Sequence, residues 1–162
     1  MVTKDIFNIL KKHFNDDIIE LTETASSDSW ITINHTNIKQ ICLFLRDEVG
    51  LEFDYFVMLT GMDYVDKLGV VYHLLSLKHN HRLVLKTHLN RDKPNTFSVE
   101  RVWKTANWHE REAFDMFGIR FEQHPDLDRI LCPDDWNGYP LRKDYIAPSE
   151  YNGIDATYNN PN

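Results

Sequence analysis

Cysteine is nearly missing from this chain: Cys42 and Cys132 are the only two, 90 positions apart in 162 residues. A disulfide framework or a four-cysteine cluster site is thereby excluded, and a reducing compartment fits. Glycine is scarce at six, and none falls in a G-x-G-x-x-G or P-loop pattern, so the common phosphate-cradling turns are absent. There is no block of Lys or Arg and the formal net charge is −7, which removes the electrostatic footprint of a nucleic-acid binder. No stretch approaches the roughly eighteen consecutive apolar residues of a membrane span. Any attachment to a membrane is expected to come through a partner. Lys4, Asp5 and an amphipathic pattern open the sequence, so no secretory leader is expected.

What remains is an ordinary globular composition, with 42% hydrophobic and 27% charged residues. A chain of this length buries about 68–70% of its unfolded surface, enough for one core without staples. Ile6, Phe7, Leu10 and Phe14 recur at helical spacing, and Asp16-Asp17 is expected to close that first helix. Residues 18–22 and 30–34 read as short strands around a Ser26-Ser27-Asp28-Ser29 turn. Ile38, Ile41, Cys42, Leu45 and Val49 make a second helical stripe, with Gly50 as its expected stop. Three further strands follow. Phe53 to Leu59 is so apolar that a central strand is expected, and alternation marks Val71 to Leu77 and Leu83 to Leu89, joined by a His79-Asn80-His81 turn. This order predicts an α+β fold: a two-layer sandwich, roughly α-β-β-α-β-β-β with a mixed sheet, then short helices and an extended C-terminal segment. The expected division is a core over 1–95, signature helices and an irregular docking segment over 96–145, and an extended tail over 146–162.

After Pro94 the pattern changes. A short helix is expected from Ser98, and a second from Trp108 to Phe117, capped by Asn107 and stopped by Gly118. On that helix Ala113, Phe114, Met116 and Phe117 form an apolar stripe, while Arg111, Glu112 and Asp115 lie opposite with Trp108. Arg111 and Asp115 read as an exposed i, i+4 pair worth about 0.3–0.5 kcal/mol. Glu110 falls inside the apolar stripe, where an unpaired charge costs several kcal/mol. Its partner is either the Asn107 backbone N–H in a capping box or an arginine, Arg129 or Arg142. From His124 to Tyr145 four breakers (Pro125, Pro133, Gly138, Pro140) exclude long regular elements; at most Leu127, Ile130 and Leu131 form one helical turn. Yet the stretch, with Phe121 just before it, holds Trp136, Tyr139, Leu141 and Tyr145, too aromatic for disorder. Long irregular segments of this kind are usually functional, and aromatics with arginines anchor interfaces.

Glu110-Arg111-Glu112, Asp115-Met116-Phe117-Gly118-Ile119, His124-Pro125-Asp126-Leu127 and Arg129-Ile130-Leu131 together resemble the signature of the 30 kDa subunit family, the C component of proton-translocating NADH–quinone oxidoreductase (respiratory complex I). Asp135-Trp136, Gly138 and Pro140-Leu141-Arg142-Lys143-Asp144-Tyr145 resemble that family's downstream tail, and Ala106-Asn107-Trp108 its lead-in. The likeness covers about a quarter of the chain. One position departs: the family usually has a basic residue where Asp128 stands.

The resemblance implies a structural subunit of the peripheral arm, on the cytoplasmic face of the bacterial inner membrane, with no catalytic residue, cofactor or metal of its own. The complex it implies is an NADH:quinone oxidoreductase and translocase using FMN, iron–sulfur clusters, NADH and quinone. The implied partners are the subunits holding the quinone site (D), the terminal iron–sulfur cluster (B) and the ferredoxin-like subunit (I). The same residues would also suit a relative in a ferredoxin-driven or hydrogenase-type complex. The docking surface is expected over Trp108–Tyr145, with Trp136, Tyr139, Arg142 and Tyr145 as anchors.

An enzyme reading competes through eight histidines. His109-Glu110 opens like a zinc-protease helix, but Ala113 stands where H-E-x-x-H needs histidine. His79, His81 and His88 could hold a metal near their hairpin, although an exposed turn plus a strand-face histidine is the commoner origin of such a group. Glu110, Glu112 and Asp115 do not converge as acid–base groups on one helix, and Cys42 on its apolar stripe is most simply core.

Overall fold

A computed structural model describes residues 1–25 and 28–155. Helix α1 (Thr3–Phe14) runs through a single 3₁₀ turn, Asn15–Asp17, into β1 (Ile18–Thr22). Strand β2 (Trp30–Ile33) pairs antiparallel with β1, and α2 (Ile38–Asp47) follows. A meander of β3 (Tyr55–Asp63), β4 (Lys67–Ser76) and β5 (His81–Asn90) brings β5 back beside β2 in the parallel sense. The sheet order is therefore β1-β2-β5-β4-β3, mixed as expected.

Alternation explains the core. Leu68, Val70, Tyr72 and Leu74 of β4, with Leu83, Leu85 and Leu89 of β5, meet Ile6 and Leu10 of α1 and Ile41, Cys42 and Leu45 of α2 in one buried cluster. Each strand spends every second side chain on that face. Burial of this kind yields about 25 cal/mol per Å² of apolar surface, which is what makes two modest helices stable.

Several boundaries differ from those the pattern suggests. Helix α2 stops at Asp47, and Val49 is 86% exposed; Gly50, at φ 90°, lies in the turn beyond instead of ending the helix. Strand β3 is an edge strand, not a central one. An apolar run reads the same whether its own chain or something else covers it, and only the meander's direction decides. His81 opens β5 rather than sitting in the turn. No helix forms from Ser98: Val102 and Trp103 both donate to the Val99 carbonyl, making one turn. Trp103 fixes that turn by donating from Nε1 to the Phe53 carbonyl at 3.0 Å.

Two strands have no counterpart in the sequence pattern. β6 (Asn95–Phe97) and β7 (Arg120–Glu122) pair in parallel on either side of α3 (Ala106–Phe117). At three residues each they are too short for alternation to register. α3 begins at Ala106 with Thr105 as the residue before it, so Asn107 lies within the first turn and is not the cap. Beyond β7 the chain is irregular as far as a small hairpin of β8 (Glu150–Tyr151) and β9 (Ile154–Asp155). The expected extended tail thus includes a two-stranded pairing; its remainder, 156–162, lies outside the described residues, as does the Ser26-Ser27 part of the expected turn.

Candidate functional site

The irregular segment is organised by one carboxylate. Asp115, on α3, is fully buried. Its Oδ2 accepts the backbone N–H groups of Ile130 (3.0 Å), Leu131 (2.7 Å) and Cys132 (2.8 Å). Its Oδ1 accepts Arg129 Nη1 at 2.6 Å. Arg129 then donates from Nη2 to the Trp136 and Gly138 carbonyls, both at 3.0 Å. Burial opposes the charge on Asp115, but the three backbone donors and Arg129 outweigh it and hold the carboxyl below its ordinary range.

Asp115 is therefore no exposed partner of Arg111. Arg111 instead donates to the Asp128 carbonyl (3.1 Å) and the Arg129 carbonyl (3.2 Å). The expected helical turn at Leu127, Ile130 and Leu131 is absent for the same reason: three successive N–H groups that a helix would need point at one carboxylate. The Asp128 side chain is exposed, so its departure from the family pattern disturbs no contact of its own side chain within the described residues.

The far end of the segment crosses the C-terminus of α3. Leu141 N–H donates to the Met116 carbonyl (3.1 Å) and Arg142 Nε to the Phe117 carbonyl (2.6 Å). These are carbonyls with no partner within the helix, and a cation there also suits the helix dipole. Gly118 turns the chain at φ 72°, and a Cβ there would clash with the Tyr139 ring. The Arg142 and Arg129 guanidinium groups lie 4.8 and 5.5 Å from that ring's centre. From the sheet, Asp63 accepts the Lys143 N–H (2.8 Å) and Arg91 (2.7 Å), and Arg91 also reaches Asp144 at 2.6 Å. The Arg91 hydrogen bond is the main reason the Asp63 carboxyl sits well below its usual range.

Glu110 is fully buried, as its position in the apolar stripe requires. Neither expected partner holds it. Asn107 is inside the helix, Arg129 is committed to Asp115 and Arg142 to Phe117. Glu110 Oε1 accepts the Val99 N–H at 2.7 Å, and Oε2 has no hydrogen-bond partner. Burial drives its pKa up to about 8, against the Ser98 hydroxyl and the Val99 N–H. His124 Nε2 lies 3.9 Å from Oε2. That histidine accepts the Asp126 N–H at Nδ1 (3.0 Å), and its Nε2 meets the Asn107 carbonyl (3.2 Å).

The signature residues thus divide. Glu110, Asp115, Gly118, His124, Arg129, Tyr139 and Arg142 build the segment's own conformation. Trp108, Glu112, Pro125, Asp126, Lys143 and Asp144 are exposed, with Arg111, Trp136 and Tyr145 between. Leu131 (63% exposed), Leu141 (54%) and Ile146 (89%) join Trp108 (68%) in presenting apolar surface; Ile146 has no signal in the sequence pattern. Asp63 and Arg91, which anchor the end of the segment, lie 80 and 53 residues from Lys143 and Asp144 and carry no local signal. His79 bonds Glu52 at 2.6 Å and stacks on His81, whose Nε2 meets the Leu51 carbonyl at 2.9 Å, while His88 lies elsewhere, against Tyr64. These three histidines do not converge, and no group of three metal-ligating side chains occurs among the described residues.

Residues 31–151, from β2 through the irregular segment, match the family model for the respiratory-chain NADH dehydrogenase, 30 Kd subunit. The chain belongs to this family. Among its relatives, the NADH-quinone oxidoreductase C subunit of Chloroherpeton thalassium is 44% identical over 154 residues, covering 94% of this chain and 64% of the relative. The corresponding C subunit of Chlorobium phaeobacteroides is 42% identical over 155 residues, covering 94% and 93%. The chain therefore spans just under two thirds of the first relative and nearly all of the second. In fold alone it is similar to the trypsin-resistant fragment of Nqo5 (TM-score 0.65, 24% identity, 75% of this chain and 98% of that one). It is similar too to a chain of the membrane-bound sulfane sulfur reductase, an archaeal respiratory membrane complex (TM-score 0.72, 21% identity, 88% and 84%). None of the described helices is long and apolar enough to cross a membrane.

Proposed function

We propose that this chain is a structural subunit, without catalysis or cofactor of its own, in the peripheral arm of an NADH–quinone oxidoreductase. Its complex carries electrons from NADH through FMN and iron–sulfur clusters to quinone and couples this to proton translocation. The subunit holds the arm together at the cytoplasmic face of the inner membrane, against the subunits bearing the quinone site, the terminal cluster and the ferredoxin-like clusters. Within it, residues 1–95 are the supporting core, 96–145 the docking region and 146–162 a trailing segment.

One observation carries the reading. The Asp115–Arg129 centre orders the segment before any partner arrives, and leaves Trp108, Leu131 and Leu141 outward among Glu112, Asp126, Asp128 and Asp134. A preordered apolar patch loses little entropy on binding, which is how modest interfaces become tight. The test is affinity capture of the protein from detergent-solubilised native membranes, with partners identified by mass spectrometry. Recovery of iron–sulfur and membrane-arm subunits with NADH–quinone activity is expected; recovery of the chain alone from the soluble fraction would overturn the proposal. The fold likeness to the archaeal sulfane sulfur reductase complex favours a second reading, in which the same role is filled in a relative with another electron donor. The donor-module subunits that arrive in the same capture separate the two.

A further inference from the structure

The sheet has a second face, and no described helix lies on it. Alternation along β4 and β5 turns Val71 and His73, Val84 and Lys86 away from the core. With Trp30, Val57 and Met62 they border two adjoining hollows of about 220 and 370 Å³ that share His73, Val84 and Asp28.

Two observations indicate what covers this face. The first is β3, a nine-residue edge strand with no charged residue before Asp63, whose Tyr55, Val57, Met58 and Met62 are 38–49% exposed. An apolar edge of that length invites aggregation, and natural sheets blunt it with Lys or Pro or cover it. Here neither residue is present, and the one irregularity is the register shift between Phe56 and Met58. The second is charge. Arg82 and Lys86, two steps of alternation apart on β5, share the open side, and neither makes an ion pair among the described residues. Lys86 Nζ sits 3.4 Å from the centre of the Trp30 ring, partly desolvated, and burial lowers its pKa. Asp28, at the rim of both hollows, pairs with neither cation. In a chain of net charge −7, two unneutralised cations on an apolar face are the complement of an acidic amphipathic surface.

We propose that this face receives an amphipathic helix of a neighbouring subunit, which sets apolar side chains on Val57 and Met62 and brings Asp or Glu to Arg82 and Lys86. Such a helix makes the third layer on a sheet whose other face already carries helices. The proposal rests on membership in a multisubunit complex and adds a second docking surface, separate from the signature segment.

The experiment places a photo-crosslinking amino acid at Met62 and, separately, at Leu131, in the full chain assembled in its native membrane complex. Adducts are mapped by mass spectrometry. The Met62 position is expected to label an Asp- or Glu-bearing helix of a neighbour, and the yield should fall about tenfold in the Arg82→Glu, Lys86→Glu variant. The Leu131 adduct should persist in that variant, which separates lost docking from lost folding. Labelling from Leu131 but not Met62 would overturn this proposal alone, as would labelling of a second copy of this chain, of a basic surface, or a yield indifferent to charge reversal. Absence of adducts from both positions would overturn this proposal and the complex-subunit reading together.

Discussion

Asp115 shows how one residue can set the conformation of a segment nearly as long as the helix that carries it. Its four accepted hydrogen bonds take up three half-buried backbone donors and one end of a guanidinium whose other end is held by the Trp136 and Gly138 carbonyls. Replacing it with Asn keeps the shape but removes the charge and leaves Arg129 uncompensated, which costs about 3 kcal/mol. Denaturant unfolding of Asp115→Asn should show that loss, together with easier proteolysis between Cys132 and Tyr139. Glu110 makes the opposite case, a carboxyl whose burial disfavours its charge. Its folded pKa of about 8 lies above the ordinary 4.5, so the folded state keeps a proton that the unfolded chain releases. The folded protein therefore loses stability as pH rises from about 4.5 to about 8, and changes no further through this group above that. Glu110→Gln should remove that slope. Unfolding free energies measured at pH 5 and pH 8.5 should converge for the variant and diverge for the wild type; equal slopes would show that Glu110 is ionised in the fold.

At the scale of elements, helices α1 and α2 and strands β1, β2, β4 and β5 follow from hydrophobic spacing, because each is long enough to repeat its pattern at least twice. β6 and β7 are not, and Glu110 and Asp115 could be placed on a helical wheel but not paired. Pairing depends on Val99 and on residues 129–132, which meet α3 from either side of the β6/β7 pair. The C-terminal turn of α3 was legible, since a glycine after an apolar stripe predicts a left-handed stop. Its second purpose was not: Gly118 also makes room for Tyr139. Gly118→Ala combines a strained φ with a clash against an aromatic ring, and should cost about 2–3 kcal/mol. A lower melting temperature together with loss of the Leu141–Met116 contact, read by amide exchange at Leu141, is the expected outcome. A substitution at Gly50, where a Cβ meets nothing within 4 Å, is the control for the backbone strain alone.

For the whole molecule, the division of the signature into builders and presenters changes which variant tests docking. Arg142→Glu looks like an interface probe from sequence, but Arg142 holds the Phe117 carbonyl and packs on Tyr139. Its replacement should therefore lower the stability of the isolated chain by about 1–2 kcal/mol as well as weaken assembly. Leu131→Asp is the cleaner probe, because that side chain is mostly exposed and its backbone N–H bond to Asp115 survives the change. Unfolding of the purified Leu131→Asp chain should match wild type, while its recovery in the membrane complex falls at least about tenfold. Loss of stability without loss of assembly would place Leu131 in the chain's own packing.

The sequence by itself determined the α+β class, the positions of the longer elements, and the family, because periodicity and a motif of mixed chemistry are both written in neighbouring residues. It also marked the Trp108–Tyr145 segment as one that has to pack. Only the tertiary structure decided that β3 lies at an edge, that Asp115 is buried at the centre of the irregular segment, and which signature residues face inward. Each of those outcomes depends on groups brought together from distant parts of the chain: Asp63 with Lys143, Arg91 with Asp144, Val99 with Glu110. Whether a charge is stabilising or costly is set by the donors and the solvent around it, and those are properties of the folded neighbourhood, not of the residue's place in the chain.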